Sequence, residues 1–557
     1  MHLEVDLGRE VSPGSATGTD VIISPDGARL VFVSNSRLFV RRLDQPKATE
    51  LAGTEGAYGP FYSPDGQWVA FFGGGKLKKI SVEGGAAIAL CDAPTGRGGA
   101  WGEDHTIIAA LSQLGVLWRI PDTGGAPHPL TELAQGETTH RWPQILPGSK
   151  VVLFTAGTTG GWDGANIEVM SFNDHRRKTL QRGGTYGRYL PTSNGAGHLA
   201  YINKGTLFAV PFDPGTLMVR GTPAPVLQEV AYDSRNGTAQ FDFSQAGTLV
   251  YRRGGWGAMV ALQWLDDAGK LHALASKPGP YSQPRLSPDG KLVALSVSDG
   301  SGSDIWTYDW QRDTMSHLTF DGGAFRFPVW SPDGRYLVFQ ADSGIFWTRA
   351  DGAGKPQSLT QTKTGQFPWS FSPDGKRLAF AEGGAGGLDL LTVPVANEGG
   401  VLRAGKPEVF LKTTASEVFP AFSPDGRWIA YRSVDSGNGE IHVRAFPDKG
   451  GKWQISNSGG AFAVWSRNGR ELFYRTQDQR IMVVSYTVKG DSFVPDKPRL
   501  WSDKRLADTG VYQNLDIHPD GKRFLVLMPA DEPGQQRTNS QVIFLQNFFD
   551  ELRRRAP

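Results

Sequence analysis

Residues 21–34 read VIISPDGARLVFVS, and the four letters SPDG inside them return at residues 63, 287, 331, 372 and 423. Proline presets φ for the second position of a tight turn, aspartate bonds back to nearby backbone, and glycine takes the left-handed position that follows. The motif therefore encodes a hairpin corner. On its carboxyl side apolar residues alternate, as in QWVAFFG, KLVALSVS, RYLVFQA, KRLAFAE and RWIAYRS, which is the period of a strand.

Each unit continues with a second apolar run, such as SRLFVRRLD, SDIWTYDWQ or GEIHVRAFPD, and a short fourth one such as MSHLTFDGG. Four short strands in a period of about 40–50 residues are the signature of propeller blades. Worn copies fill the gaps: AWGEDHTIIAAL at Trp101, PQILPGSKVVLFT at Pro143, LPTSNGAGHLAYI at Leu190, FDFSQAGTLVYRR at Phe241, AVWSRNGRELFYR at Ala463 and LDIHPDGKRFLVLM at Leu515. Twelve units then start near residues 21, 60, 100, 143, 190, 241, 284, 328, 368, 420, 463 and 515. Rings usually close with about four to eight blades, so twelve units imply two six-bladed rings rather than one wide one.

The expected architecture is all-β: tandem β-propellers, two six-bladed rings of four-stranded antiparallel blades, with a short C-terminal helix. The rings are expected at residues 1–275 and 281–557, with Pro278, Gly279 and Pro280 as the hinge. The opening stretch HLEVDL is expected to supply the outer strand of a blade begun elsewhere. At the other end NFFDELRRR reads as an amphipathic helix capping the ring, with Phe548, Phe549 and Leu552 on its apolar face.

Lys plus Arg is 58 and Asp plus Glu is 56 in 557 residues, with no long block of like charge, which argues against a nucleic-acid partner. The lone Cys91 excludes an internal disulfide framework and a cysteine-based zinc cluster, and is expected to be a small buried apolar residue. The chain shows no signal peptide and no apolar run of about 18 residues or more, so it is expected to be soluble with no membrane segment of its own.

SPDG followed by RYLVF and an IW-type third strand resembles the TolB-type propeller repeat. The ordered set LFVRRLDQPKATELAGTEGAYGPFYSPDGQWVAFFGGGKLKKISVEGGAAIALCDAP, HRWPQILPGSKVVLFT, GHLAYINKGTLFAVPFD and the closing VIFLQNFFDEL resembles the extracytoplasmic propeller region of acidobacterial receptor-like serine/threonine kinases. That resemblance covers nearly the whole chain and implies an extracytoplasmic sensor or scaffold module. It departs from the kinases in lacking a Gly-rich nucleotide loop, a catalytic HRD and a DFG, so no kinase activity is expected. No G-x-S-x-G elbow, H-E-x-x-H or P-loop is present either.

Two groups of polar residues stand where inner strands begin. GETTHRWPQ supplies His140 and Arg141, and GGTYGRYLP supplies Tyr186 and Arg188; together they are a candidate substrate or anion site. In the second half Gln283, Arg326, Gln366, Glu417 and Gln513 recur near one offset and are candidates to line a ligand pocket, beside Phe327, Phe367, Phe419 and Phe462, whose repetition suits packing between blades. Acidic loops carry Asp299, Asp304, Asp435 and Glu440, but their spacing does not match a calcium loop, and no metal or other cofactor is expected. The sequence thus favours a non-catalytic module binding a small molecule, glycan or protein on a propeller face. The alternative is a lyase or hydrolase acting on a saccharide at the mouth of the first ring's channel, around His140, Arg141, Tyr186 and Arg188.

Overall fold

The computed structural model describes residues 2–7, 18–158, 162, 164–192, 197–233, 236–253, 259–275, 277–298, 303–320, 325–341, 343–362, 364–384, 387–413, 415–435, 439–448, 450–507, 509, 512–530 and 541–556. They form the propeller fold: antiparallel sheets, nearly all of four or five strands and most built from strands consecutive in sequence, with one short helix at Phe548–Arg555 among the described residues.

The corners are built as their letters require. Ser24 Oγ donates to Asp26 Oδ1 (2.5 Å) and accepts the Arg29 N–H (2.9 Å), while the Gly27 N–H donates to the Ser24 carbonyl (2.8 Å). Gly27 holds φ 77° and Gly66, Gly290, Gly334, Gly375 and Gly426 repeat it, a conformation that suits glycine. The hydrogen bond from Ser24 holds the Asp26 carboxyl below its ordinary range. Serine and aspartate at each corner are thus engaged in the turn itself.

The chain divides into two compact units, Met1–Trp256 with Asp531–Pro557, and Gly257–Ala530. In the first, sheets begin at Val21–Ile23, Tyr58–Tyr62, Gly99–Trp101, Glu137–Ile145, Thr185–Pro191 and Phe241–Phe243. The last of these sheets draws on both ends of the chain. Its order is Phe241–Phe243, Leu249–Tyr251, Gln541–Leu545 and His2–Asp6, with Leu545 opposite both Leu249 and His2. In the second unit, sheets begin at Tyr281–Leu286, Arg326–Trp330, Gln366–Phe371, Glu417–Phe422, Ala461–Trp465 and Leu515–Ile517. There too the last sheet joins distant segments: Leu515–Ile517, Arg523–Pro529, Val260–Asp266 and Leu271–Ala273.

These closures correct the expected boundary. Val260–Asp266 pairs along its whole length with Arg523–Pro529, so residues 257–275 belong to the second unit. Gly279 is no hinge: it exchanges backbone hydrogen bonds with Val260 in both directions (2.9 and 3.1 Å). The C-terminal strand and helix belong to the first unit, because its sixth sheet is incomplete without them. The second unit is thus an insertion whose two ends meet as neighbours, Val260 opposite Pro529.

Among the described residues no helix is long and apolar enough to cross a membrane. Cys91 is half-buried rather than buried, and burial pushes its thiol up to about 11, which leaves it protonated and inert at neutral pH.

Candidate functional site

Where an inner strand begins, it is fastened to the preceding blade by a hydroxyl. Thr131 Oγ1 accepts the Leu117 N–H and contacts His140 Nδ1 (2.8 Å). In the second unit Thr360 Oγ1 accepts the Ile345 N–H and donates to Gln366 Oε1 (2.5 Å), and Thr413 Oγ1 donates to Glu417 Oε1 (3.0 Å). His140, Gln366 and Glu417 therefore share one role, a latch between consecutive blades.

The His140 ring is fully enclosed, with Nε2 3.0 Å from Glu137 Oε2 and the ring packed 4.7 Å from Phe154. Arg177 forks onto Glu137 (2.6 Å) and Glu168 (2.6 Å), completing a buried charge network. Burial holds the imidazole below its ordinary pKa against the pull of Glu137, so it stays neutral. Both ring nitrogens are occupied and the ring is enclosed.

A few residues further on, seven of the inner strands carry a bulge whose first residue is left-handed: Gly59, Trp142, Tyr186, Gln283, Phe327, Phe419 and Phe462, with φ of 54–61°. Bulky residues pay about 1–3 kcal/mol for such a backbone, and bulges re-aim side chains. In the second unit the re-aimed rings meet: Phe327, Trp369, Phe419, Phe462 and Tyr512 lie 4.6–6.0 Å apart in an aromatic plug. Arg475 covers the Phe462 ring at 4.5 Å.

The first unit differs at the corresponding place. Counting back from the corner serine, Gly59 stands where Phe327 stands in the second unit, and Gly98 is likewise left-handed at 85°. With no ring at the Gly59 and Gly98 positions themselves, a cavity of about 300 Å³ lies between the inner strands and corners of the first unit. Trp142 and Tyr186, 5.7 Å apart, form part of its wall together with Phe61, Tyr62, Phe243 and Phe549.

Three charged groups line this cavity: Arg188, Asp242 and the exposed Glu103. Arg188 lies over the Tyr186 ring at 4.0 Å and donates through Nη1 to the carbonyls of Trp142 (2.9 Å) and Gly187 (3.0 Å). Asp242 accepts the Ile23 N–H of the next blade at 2.9 Å. Burial pushes its carboxyl up to about 6, against backbone hydrogen bonds and the Arg188 charge, which pull it down. The two feel each other electrostatically yet form no ion pair within 4.0 Å. Beside them the buried Tyr62 hydroxyl has no hydrogen-bond partner among the described residues.

The four first-half candidates thus separate. Tyr186 and Arg188 come together in the cavity, whereas His140 and Arg141 do not line it. Arg141 is buried, donating to the carbonyls of Gln113 (2.6 Å) and Asn236 (3.1 Å) and stacking 4.4 Å over Trp162. Gln283 Oε1 accepts from Ser296 Oγ (2.8 Å) and the Phe327 N–H (2.9 Å); Arg326 donates to Ser303 Oγ (3.3 Å). Gln513 accepts from Arg285 Nη1 at 2.7 Å. Asp304 pairs with His317, Asp435 with Lys452, and Glu440 accepts from Ser456 and the Gly459 N–H, while Asp299 lies outside the described residues. Among the described residues no three His, Cys, Asp or Glu side chains gather as a metal site.

Sequence reasoning missed Asp242 and its counterpart Asp516, which accepts the Leu286 N–H at 2.8 Å. Each stands two residues before its corner, in FDFS and LDIH, a carboxylate inside an apolar strand and therefore a visible anomaly.

No protein-family model matches the chain. Among curated proteins it is similar to the uncharacterized peptidase YuxL of Bacillus subtilis (strain 168), 26% identical over 151 residues, or 27% of this chain. The match spans 21% of that relative's length. Solved structures similar to it include one assigned to TolB from Agrobacterium tumefaciens (18% identity, TM-score 0.38, covering 49% of this chain and 99% of that one). TolB from Acinetobacter baumannii follows (14%, 0.31, 70% and 79%), as does an oligogalacturonate lyase in complex with manganese (14%, 0.31, 63% and 91%). The structural neighbours include TolB β-propellers, and the chain shares their all-β blade architecture.

Proposed function

We propose that this chain is a non-catalytic binding module, a tandem of two six-bladed β-propellers whose ligand site is the cavity of the first unit. The observation that carries it is the contrast between the units. One has its centre filled by five rings, and the other keeps about 300 Å³ open where Gly59 replaces a phenylalanine. Pockets with aromatic walls and a few placed polar groups are where ligands bind, and corner loops can vary while blades stay fixed.

Binding is favoured over saccharide cleavage because that alternative needs His140 and Arg141 at the site, and both His140 ring nitrogens are engaged in the latch while Arg141 does not line the cavity. The sensor or scaffold role in a signalling protein rests on the ordered segments that resemble the kinase propeller region. A thermal-shift screen against glycans, peptides, nucleotides and divalent metals, with turnover assays on every hit, tests the proposal. A ligand at 100 times its Kd adds about 2.7 kcal/mol of stability, which is readily seen. A reproducible shift without product supports binding; product formation would overturn the non-catalytic role.

A further inference from the structure

We propose that the ligand of the first unit's cavity is a neutral saccharide unit, held between Arg188 and Asp242 with its ring against the aromatic wall. This deepens the binding role proposed above and rests on it.

The polar groups define the chemistry. Arg188 commits Nη1 to two carbonyls, and among the described residues nothing accepts from its Nε or Nη2. Asp242 uses one carboxylate oxygen as a staple to the Ile23 N–H. The guanidinium can only donate and the carboxylate, when ionised, can only accept, and no ion pair joins them. A hydroxyl both donates and accepts, so adjacent hydroxyls on one ring satisfy both groups at once. The Tyr62 hydroxyl, buried without a partner and close enough to feel the Asp242 charge, adds a third hydrogen-bonding position. An unpartnered buried hydroxyl is unfavourable, and a ligand oxygen at that point relieves it.

Charge and shape narrow the class. Arg188 faces the Asp242 carboxylate, and the exposed Glu103 adds a second carboxylate to the lining, so an anion would meet Asp242 and Glu103 and a cation would meet Arg188. The wall offers flat apolar surface: Phe61, Tyr62, Trp101, Phe243 and Phe549 line it above Tyr186. A pyranose presents apolar C–H faces to such rings and hydroxyls at its rim. The volume, about 300 Å³, sits at the small end of ligand pockets and suits one or two sugar rings.

The second unit supplies an internal control. Asp516 repeats the staple, but its arginine neighbour Arg285 is bonded to Gln513 (2.7 Å) and to the Trp369 carbonyl (2.8 Å), and aromatic rings fill the space. The same backbone position is thus closed in one unit and open in the other.

The test is calorimetric titration of the full chain at pH 7.5 with glucose, galactose, mannose, N-acetylglucosamine and their disaccharides, using glucuronate and a hexapeptide pool as comparators. We expect saturable binding of at least one neutral saccharide, weakened tenfold or more in Asp242→Asn and in Arg188→Gln and unchanged in Glu417→Gln of the second unit. Melting curves check that each variant is folded, and the cavity can also be challenged from the rim with Phe549→Ala. If glucuronate or a peptide binds instead, and Arg188→Gln removes it, the cavity stands as the site and the neutral saccharide is overturned. If a neutral saccharide binds equally well to all variants, the cavity itself is overturned as the site. If nothing in the panel binds, the saccharide class is overturned.

Discussion

Ending the chain at Ala530 removes the strand Gln541–Leu545 and the helix Phe548–Arg555, and the structure predicts that this unfolds the first unit while sparing the second. Val542, Ile543, Phe544, Leu545, Phe548 and Leu552 are all buried. At roughly 1.5–3 kcal/mol for each large apolar side chain withdrawn from its site, their loss removes about 10 kcal/mol or more. The opening strand His2–Asp6 loses its only paired neighbour as well, since it bonds to Gln541–Leu545 alone among the described strands. A domain is typically stable by about 5–15 kcal/mol, so the deletion consumes most or all of it. The second unit keeps every strand of its own closing sheet. Differential scanning calorimetry of the truncated chain should therefore show one cooperative transition where the full chain shows the melting of both units, and mild proteolysis should leave a fragment near residues 257–530. A truncated chain that retains all of the unfolding enthalpy of the full chain would refute the closure argument.

Other outcomes follow from the same geometry. His140→Ala should destabilise the first unit by about 2–3 kcal/mol through the lost latch, while leaving ligand Kd unchanged; denaturant unfolding and titration check the two halves separately. Asp242 has its folded pKa raised to about 6 from 3.8, so the folded chain binds its proton more tightly; that stability is present below pH 3.8 and lost as pH rises through 6. Asp242→Asn should accordingly be more stable than the parent by about 1–3 kcal/mol at pH 8, the two converging near pH 4, as read from urea melts across that range. Gly59→Phe should place in the first unit the ring that Phe327 supplies in the second, abolishing ligand binding, because φ 55° is a conformation phenylalanine already adopts at 58° in this chain. By contrast any side chain at Gly98 would stand 2.7 Å from Trp142, so Gly98→Ala should lower the melting temperature.

The blades were legible because their signals are local. A corner motif needs only four residues, and even worn copies keep the left-handed glycine, as at Gly469 and Gly521. Each expected starting position falls within a strand. The unit boundary was less legible, because closure pairs residues hundreds of positions apart and nothing in QVIFLQ says which sheet it joins. Pro278–Gly279–Pro280 carries the composition of a linker, yet Val260 bonds to Gly279 from both sides. Of the sequence candidates, Tyr186 and Arg188, at the start of an inner strand, line the cavity. His140 shares that position in sequence, but strand alternation turns it toward Thr131 and Glu137. The cavity was harder to foresee, since its wall is gathered from strands and corners far apart in the sequence, from Gly18 to Phe549.

The central claim is that the first unit's cavity holds the ligand. A crystal structure of the full chain with the tightest hit from the titration panel tests it most directly. The account predicts density for that molecule within hydrogen-bond distance of both Arg188 and Asp242, against Tyr62 and Phe243. Density on the second unit, or on the outer strands of a blade with this cavity holding only water, would contradict it.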